Sequence, residues 1–147
     1  MQQPHSYYMQ LALNEAWQAY EKQEVPVGAV VVQDGKVIGR GHNMVETLND
    51  ATAHAEIIAL TAAFSFMGAK YLPQATLYVT LEPCGMCAGA LYWSKIAQIV
   101  YGASDAKNGC SVLYKNNPFH PQTVVETGVL AAECGAIIKS FFQERRK

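Results

Sequence analysis

Two short polar segments, well separated in the sequence, constrain this fold more than any other feature. The first is His54-Ala55-Glu56 and the second is Pro83-Cys84-Gly85-Met86-Cys87. An imidazole and two thiolates are donors that zinc prefers, and catalytic zinc sites keep a coordination position open for water. The sequence therefore predicts a fold that brings His54, Cys84 and Cys87 to one Zn²⁺ ion, with Glu56 left as a proton carrier.

The cysteine segment reads as the start of a helix. Cys84 and Cys87 follow Pro83, whose fixed φ suits a first helical turn. Residues three apart share one helix face, so both sulfurs can reach the same ion. The positive end of the helix dipole and the metal both favour the thiolate forms. We expect both sulfurs to be zinc ligands.

The histidine segment is harder to place. His54 and Glu56 diverge by about 200° inside a helix, so they converge only in its first turn. Thr52 is the expected N-cap of a helix that begins with Ala53 and His54. This arrangement puts both functional side chains at the mouth of the helix.

A fourth protein ligand would make the zinc site structural instead. His42, Cys110 and Cys134 are the candidates, but closure of the site would leave Glu56 without a purpose. His-x-Glu combined with Pro-Cys-x-x-Cys, each opening a helix, is the nucleobase-deaminase pattern. Apart from this alternative, Cys110 and Cys134 are expected to be small buried apolar residues.

The length and composition predict one globular domain over residues 1–147, and the alternation of helices and strands described below makes it an α/β domain. Half of the residues are hydrophobic and 16% are charged, and a chain of this length buries a core without disulfides. Residues 1–20 lack the Lys or Arg of a signal peptide, and no apolar run reaches the roughly 20 residues that span a bilayer. We therefore expect a cytoplasmic protein that does not enter membranes, with cysteines that are thiols or metal ligands.

Hydrophobic periodicity predicts alternating helices and strands. Residues 6–22 predict an amphipathic helix with Ser6 as its N-cap, and residues 27–32 and 37–38 predict a hairpin around Asp34-Gly35. Further helices are predicted at 54–66, 84–93 and 130–145, and further strands at 75–80 and 97–101. This alternation predicts a mixed sheet with helices packed on its faces.

Six segments carry a resemblance to a known family, namely residues 25–30, 37–43, 52–57, 77–90, 101–109 and 141–146. Over nearly its whole length the chain resembles bacterial tRNA-specific adenosine deaminases of the cytidine deaminase superfamily. The zinc motif is common to that superfamily, whereas the Ser-Asp-Ala-Lys stretch ending at Lys107 and the Phe141-Phe142 tail resemble the tRNA branch.

The resemblance implies a three-layer α/β/α fold around a five-stranded mixed sheet, and a homodimer with one Zn²⁺ per subunit. It also implies conversion of the wobble adenosine in a tRNA anticodon stem-loop to inosine. Zinc on His54, Cys84 and Cys87 would ionise its bound water near neutrality, and Glu56 would carry protons to the purine and to the departing ammonia. The target base must be flipped out of its stack, which an anticodon loop permits at low cost.

Substrate-reading residues follow from the same resemblance. Asn43 matches the residue that hydrogen-bonds the flipped base; a turn residue after a strand is the alternative. Asp105 and Lys107 fall in the region that resembles the family's anticodon contacts, although any polar surface loop has a similar composition.

The C-terminal tail is the local basic surface of a chain whose net charge of −1 carries no signature of nucleic-acid binding. Phe142 with Arg145 and Arg146 is suited to stack on and neutralise RNA. The alternative is that the two phenylalanines complete the helix packing and the tail is solvated. Lys139 and Lys147 add to the positive charge against Glu144.

Two other functions stay open. The Tyr92-Trp93 pair also resembles guanine deaminases of the same superfamily, so a small-molecule deaminase of guanine or a cytosine compound is one alternative. A zinc-stabilised RNA-binding module without catalysis is the other, and such a module would not need Glu56.

Overall fold

The computed structural model describes residues 3–146, so Lys147, counted in the charge of the tail, lies outside the described residues. Within that range the chain forms five strands, β1 (Gly28–Gln33), β2 (Lys36–His42), β3 (Thr76–Leu81), β4 (Gln98–Ala103) and β5 (Val124–Thr127). The helices of the same range are α1 (His5–Glu21), α2 (Val45–Leu48), α3 (Ala55–Met67), α4 (Gly85–Ser94), α5 (Cys110–Leu113) and α6 (Ala131–Arg145). None of these helices is both long and apolar enough to cross a membrane.

The strands form one mixed sheet in the order β2-β1-β3-β4-β5. β1 pairs antiparallel with β2 and β3, whereas the β3–β4 and β4–β5 pairs are parallel. Asp34 and Gly35 both have positive φ at the β1–β2 turn, as a two-residue type I′ hairpin requires. The predicted hairpin and mixed sheet are confirmed.

Each face of the sheet is covered by helices. Val31, Leu77 and Ile99 pack against α3 and α4 on one face. On the other face, Val30 and Val100 pack against α1 and α6. Neighbouring residues of a strand enter opposite cores because strand side chains alternate between faces. The three-layer α/β/α fold implied by the resemblance is therefore confirmed.

Two strand glycines let helices lie directly on the sheet. A Cβ on Gly28 would collide with the backbone of α1 at Ala12, and a Cβ on Gly39 would collide with the backbone of α3 at Ala59. A side chain at either position would force the helix away from its strand. Gly39 thus sets the depth at which α3, the helix next to His54, packs on β2.

Two predicted helix caps are wrong. Helix α1 begins at His5 with Pro4 as N-cap, so Ser6 lies inside the first turn. Thr52 caps no helix, because its N–H and hydroxyl both donate to Asp50 Oδ1, at 2.8 and 2.7 Å. His54 takes the N-cap position of α3 in its place.

Candidate zinc centre and active site

The predicted zinc ligands meet where α3 and α4 begin. His54 is the N-cap of α3, Cys84 is the N-cap of α4, and Cys87 lies in the first turn of α4. His54 Nδ1 lies 3.6 Å from Cys84 Sγ and 3.5 Å from Cys87 Sγ. Bond lengths of about 2.3 Å to sulfur and about 2.0 Å to nitrogen separate such donors by about 3.6 Å around a tetrahedral ion. The donor set therefore fits Zn²⁺ in chemistry and in size.

The cluster has three protein donors within residues 3–146. The candidates for a fourth ligand have other partners: His42 Nδ1 lies 2.9 Å from Glu15 Oε1, and Cys110 Sγ lies 3.7 Å from Glu82 Oε2. Cys134 is buried in the core on the α1 and α6 face. This donor count suits a catalytic zinc site, which reserves one position for water.

Hydrogen bonds distribute protons unevenly over the three donors. Bonds from Cys87 and His54 lower the pKa of the Cys84 thiol to about 3. The bond to Cys84, together with burial, raises the pKa of Cys87, and the bond to Cys84 also raises the pKa of His54. Cys84 thus supplies a negative charge for a cation, while the Cys87 thiol must release its proton when the cation binds.

Glu56 is the second residue of α3 and its side chain is buried. Burial raises the pKa of this carboxyl to about 7, and the negative charge of Cys84 acts in the same direction. A carboxyl group with a pKa near neutrality can both accept and donate a proton at physiological pH. Glu56 has the acid-base properties expected of a proton carrier.

A cavity of about 360 Å³ opens over His54, Glu56 and Cys84. Its walls come from the segment before β1, from α2, from the loop after β4 and from the end of α6. Ligand pockets range from about 300 to 1,000 Å³, so this cavity is near the small end. Its volume suits one flipped nucleoside rather than a folded nucleic acid.

The cavity brings together four of the six predicted substrate residues. Asn43, Asp105, Phe142 and Arg145 line it, whereas Lys107 and Arg146 are exposed outside its lining. Lys107 follows the turn made by Asp105, and Arg146 is the C-cap of α6.

Asn43 connects the cavity to α3. Its Oδ1 accepts the N–H of Ala55 at 2.8 Å and so caps the helix, whose N-cap His54 makes no side-chain cap bond. The His54 imidazole is consequently free to face the sulfurs. Within residues 3–146, Asn43 Nδ2 makes no hydrogen bond, and this residue lines the cavity. That donor is available to a ligand.

Asp105 and Arg145 also make contacts within the protein. Asp105 Oδ1 accepts the N–H groups of Lys107 and Asn108, both at 3.0 Å, and shapes the turn at the cavity. The Arg145 guanidinium lies 5.2 Å from the centre of the Phe141 ring, and its Nη1 donates to the Gln23 carbonyl oxygen at 3.5 Å. Asp105 therefore stabilises its own polar loop, as the structural alternative predicted, and this loop forms part of the cavity wall.

Two cavity residues, Glu24 and Glu82, are missed by the motif analysis. Both are almost fully buried, at 1% and 3% exposure. Each stands beside a run of apolar residues, where a charged side chain is costly unless it is hydrogen-bonded. That local conflict is the sequence signal that could have identified them.

The model of the cytidine and deoxycytidylate deaminase zinc-binding region matches residues 2–103, which include all three zinc donors and Glu56. The fold, the donor set and this match define a zinc-dependent deaminase of the cytidine deaminase class. The tRNA-specific adenosine deaminase of Bacillus subtilis (strain 168) is 47% identical over 144 residues, covering 95% of this chain and 89% of the relative. The chain belongs to the tRNA-specific adenosine deaminase family.

Solved structures agree with this placement. One, from biochemical and structural studies of A-to-I editing by tRNA:A34 deaminases at the wobble position of transfer RNA, is 44% identical with a TM-score of 0.83, covering 89% of this chain and 98% of that one. The guanine deaminase of Bacillus subtilis is 36% identical with a TM-score of 0.69, covering 78% and 76%. Both the identity and the structural overlap are higher for the tRNA deaminase.

Proposed function

We propose that this chain hydrolytically deaminates the wobble adenosine of a tRNA anticodon loop to inosine, as a single catalytic domain over residues 1–147. One observation carries the proposal: a cavity of single-nucleoside size is lined by His54 and Cys84, two of the three clustered zinc donors, together with the buried carboxyl of Glu56. The tRNA-specific adenosine deaminase of Bacillus subtilis and the solved structure of a tRNA:A34 deaminase, both similar to this chain, support the choice of substrate. Reduced cysteines and a tRNA substrate both suit a cytoplasmic location.

The proposed reaction needs two groups: a zinc ion that activates water, and the Glu56 carboxyl that transfers protons. His54, Cys84 and Cys87 would hold zinc, which when bound supplies a Lewis acid that lowers the pKa of water toward neutrality. Glu56 takes a proton from the water that attacks C6 and delivers it to the adjacent ring nitrogen. It then moves the proton that remains on the new C6 hydroxyl to the amino group, the bond between C6 and the amino nitrogen breaks, and adenosine and water have given inosine and ammonia. The proximity of Glu56 to the zinc donors supports this double role.

Binding residues surround that centre. Asn43 offers Nδ2 to an acceptor on the flipped base while its Oδ1 caps α3. Phe142, which is 42% exposed at the cavity, offers a ring for a neighbouring base to stack on. Arg145, together with Lys107 and Arg146 outside the lining, is suited to meet phosphates of the loop, and Asp105 completes the wall beside them.

The substrate assignment is tested by parallel incubations of the zinc-loaded protein. The substrates are an anticodon stem-loop with a wobble adenosine, the same stem-loop with a wobble guanosine, free guanine and free cytidine. We expect ammonia and inosine from the wobble-adenosine RNA alone. Ammonia from free guanine or free cytidine, and not from the stem-loops, would reject the proposal in favour of a small-molecule deaminase.

We further propose that the chain forms a homodimer. Large apolar side chains are exposed along α4 and the adjoining α5, namely Met86 (39%), Trp93 (70%), Leu113 (58%) and Tyr114 (47%). Extended apolar patches on a protein surface usually mark an interaction site. A second copy of the chain is the partner that the family resemblance implies.

A further inference from the structure

Two walls of the cavity are built on helices too short to be stable alone. Helix α2 supplies Val45 and Glu46 to the lining, and the loop leading into α5 supplies Asp105 and Asn108. Each helix has four residues, and neither has a side-chain cap at its own N-cap residue. Isolated helices of this length do not form in water. Other parts of the chain must hold these walls.

Glu24 holds the α2 wall. Its Oε1 accepts the N–H of Glu46 at 3.1 Å, and its Oε2 accepts the N–H and the hydroxyl of Thr47, both at 2.6 Å. These N–H groups are among those that the first turn of a helix leaves without partners. The carboxylate of Glu24, from the segment before β1, therefore replaces the missing cap of α2.

Glu82 does the same for the α5 wall. It follows β3 directly; its Oε1 accepts the N–H of Asp105 at 3.0 Å and its Oε2 accepts the N–H of Ser111 at 2.8 Å. Ser111 is the second residue of α5, so one carboxylate fixes both the start of the loop and the start of the helix. Gly109 leaves the room, because a Cβ there would collide with the Glu82 carboxylate.

Both carboxyl groups meet only hydrogen-bond donors. Burial opposes the ionisation of Glu24, but hydrogen bonds from Thr47 and Glu46 outweigh it and lower the pKa of Glu24. Glu82 accepts the N–H groups of Asp105 and Ser111, and the Cys110 thiol lies 3.7 Å from its Oε2. Because every partner is a donor, an amide at either position would direct its own N–H groups at other N–H groups.

We propose that Glu24 and Glu82 are positioning residues for deamination, which keep the α2 and α5 walls in the shape that receives the flipped base. The inference rests on the proposed function. Neither residue is a zinc donor or the proton carrier, so their effect falls on how the substrate is held. The observation behind it is that two buried carboxylates, from different segments, each cap one short helix at the same cavity.

The test uses Glu24→Gln and Glu82→Gln in the zinc-loaded protein. We expect each variant to raise KM for the wobble-adenosine stem-loop about tenfold, since hydrogen bonds to a charged group are lost, with kcat changed by less than about threefold. Zinc content should match that of the parent. Amide hydrogen exchange should accelerate about tenfold at residues 46 and 47 in the first variant and at residues 105 and 111 in the second.

Two further variants control the experiment. Glu126→Gln removes an exposed carboxylate that contacts His5 at 3.2 Å and lies outside the cavity lining, and should change neither KM nor exchange in the two walls. Thr47→Val removes one hydroxyl donor and leaves Glu24 in place, so a smaller rise in KM is expected even if Glu24→Gln does not fold.

The possible outcomes separate the two proposals. A parent protein without activity on the stem-loop would overturn the proposed function itself. An active parent whose KM is unchanged in Glu82→Gln and in both α2-wall variants would overturn only this inference. Faster exchange without a change in KM would also overturn it, because the walls would then be held without serving the substrate.

Discussion

At the scale of single residues, the site raises the pKa of one acidic group and lowers the pKa of its neighbour. Burial raises the pKa of Glu56 to about 7, while hydrogen bonds from Cys87 and His54 lower the pKa of Cys84 to about 3. Divergent environments of this kind let one carboxyl move protons while a neighbouring thiolate stays charged. The roles proposed for these residues follow from that difference.

Replacing the proton carrier Glu56 should slow the deamination sharply and leave zinc binding unchanged. Glu56→Gln keeps the shape of the side chain but cannot exchange a proton at neutral pH, so we expect turnover of the stem-loop to fall by about 10²–10⁴-fold. Zinc content, measured by atomic absorption, should be unchanged. Full activity, or loss of zinc, would show that the role of Glu56 is wrongly assigned.

Zinc uptake should release protons. The hydrogen bond to Cys84, together with burial, raises the pKa of Cys87, so this thiol carries a proton that the metal must displace. The bond to Cys84 also raises the pKa of His54, so protons compete with the metal for this ring as well. Affinity should therefore weaken as the pH falls, and zinc at a hundred times its Kd should stabilise the fold by about 2.7 kcal/mol. Calorimetry in buffers of different ionisation enthalpy measures the release. Uptake without proton release would contradict the ligand assignment.

At the scale of elements, helix starts around the cavity are fixed by residues from other segments. Asn43 caps α3, Glu24 caps α2 and Glu82 caps α5. The zinc motif could be predicted because its ligands lie close together within each segment. The apolar strand before it marks Glu82 as unusual, but its partners could not be predicted, because its carboxylate oxygens meet donors 23 and 29 residues further along the chain.

Whether a strand could be predicted from the sequence depends on whether its own residues show a burial pattern. Strand β1 was predictable because its apolar residues enter two cores, as Val30 and Val31 do. Strand β5 was not, because all four of its residues are exposed and show no alternation. Its presence followed only from the family resemblance. The cap assigned to Thr52 failed because Asp50, two residues away, bonds the Thr52 hydroxyl.

Replacing two glycines by alanine should change the free energy of unfolding in opposite directions, because Gly39 lies against α3 and Gly135 has room for a methyl group beside it. Gly39→Ala should destabilise the fold by about 1–3 kcal/mol, because the new Cβ meets the α3 backbone. Gly135→Ala, inside α6 with only ordinary contact at 4.0 Å, should stabilise it by about 0.5–1 kcal/mol. Urea unfolding of the zinc-loaded proteins measures both. Equal effects would contradict the proposed packing.

At the scale of the whole molecule, the sheet topology gathers the active site at one end. β3 leads through Glu82 into α4, and β2 leads through Asn43 toward α3, so both zinc segments leave the sheet beside each other. Because β2 and β3 both pair antiparallel with β1, their C-terminal ends lie at the same edge of the sheet. The parallel β4 brings the loop with Asp105 to that edge. The apolar surface of α4 and α5 is left exposed beside it.

The proposed dimer predicts a specific response of that surface. The parent protein should sediment at twice the mass of one chain, and Trp93→Glu should shift it toward one chain because a charge enters the apolar contact. Trp17→Glu is the matched control, since Trp17 is 47% exposed on α1, away from that surface. A parent protein that sediments as a monomer at working concentration would contradict the dimer.

The most direct test of hydrolytic wobble deamination is the origin of the new oxygen. The zinc-loaded protein is incubated in heavy-oxygen water with a stem-loop whose single loop adenosine is at the wobble position. The RNA is then digested to nucleosides, and their masses are measured by mass spectrometry. We predict inosine that carries one heavy oxygen at C6, formed by the parent protein and not by Glu56→Gln. Inosine without the heavy oxygen, an unchanged wobble adenosine, or inosine formed equally by both proteins would contradict this account.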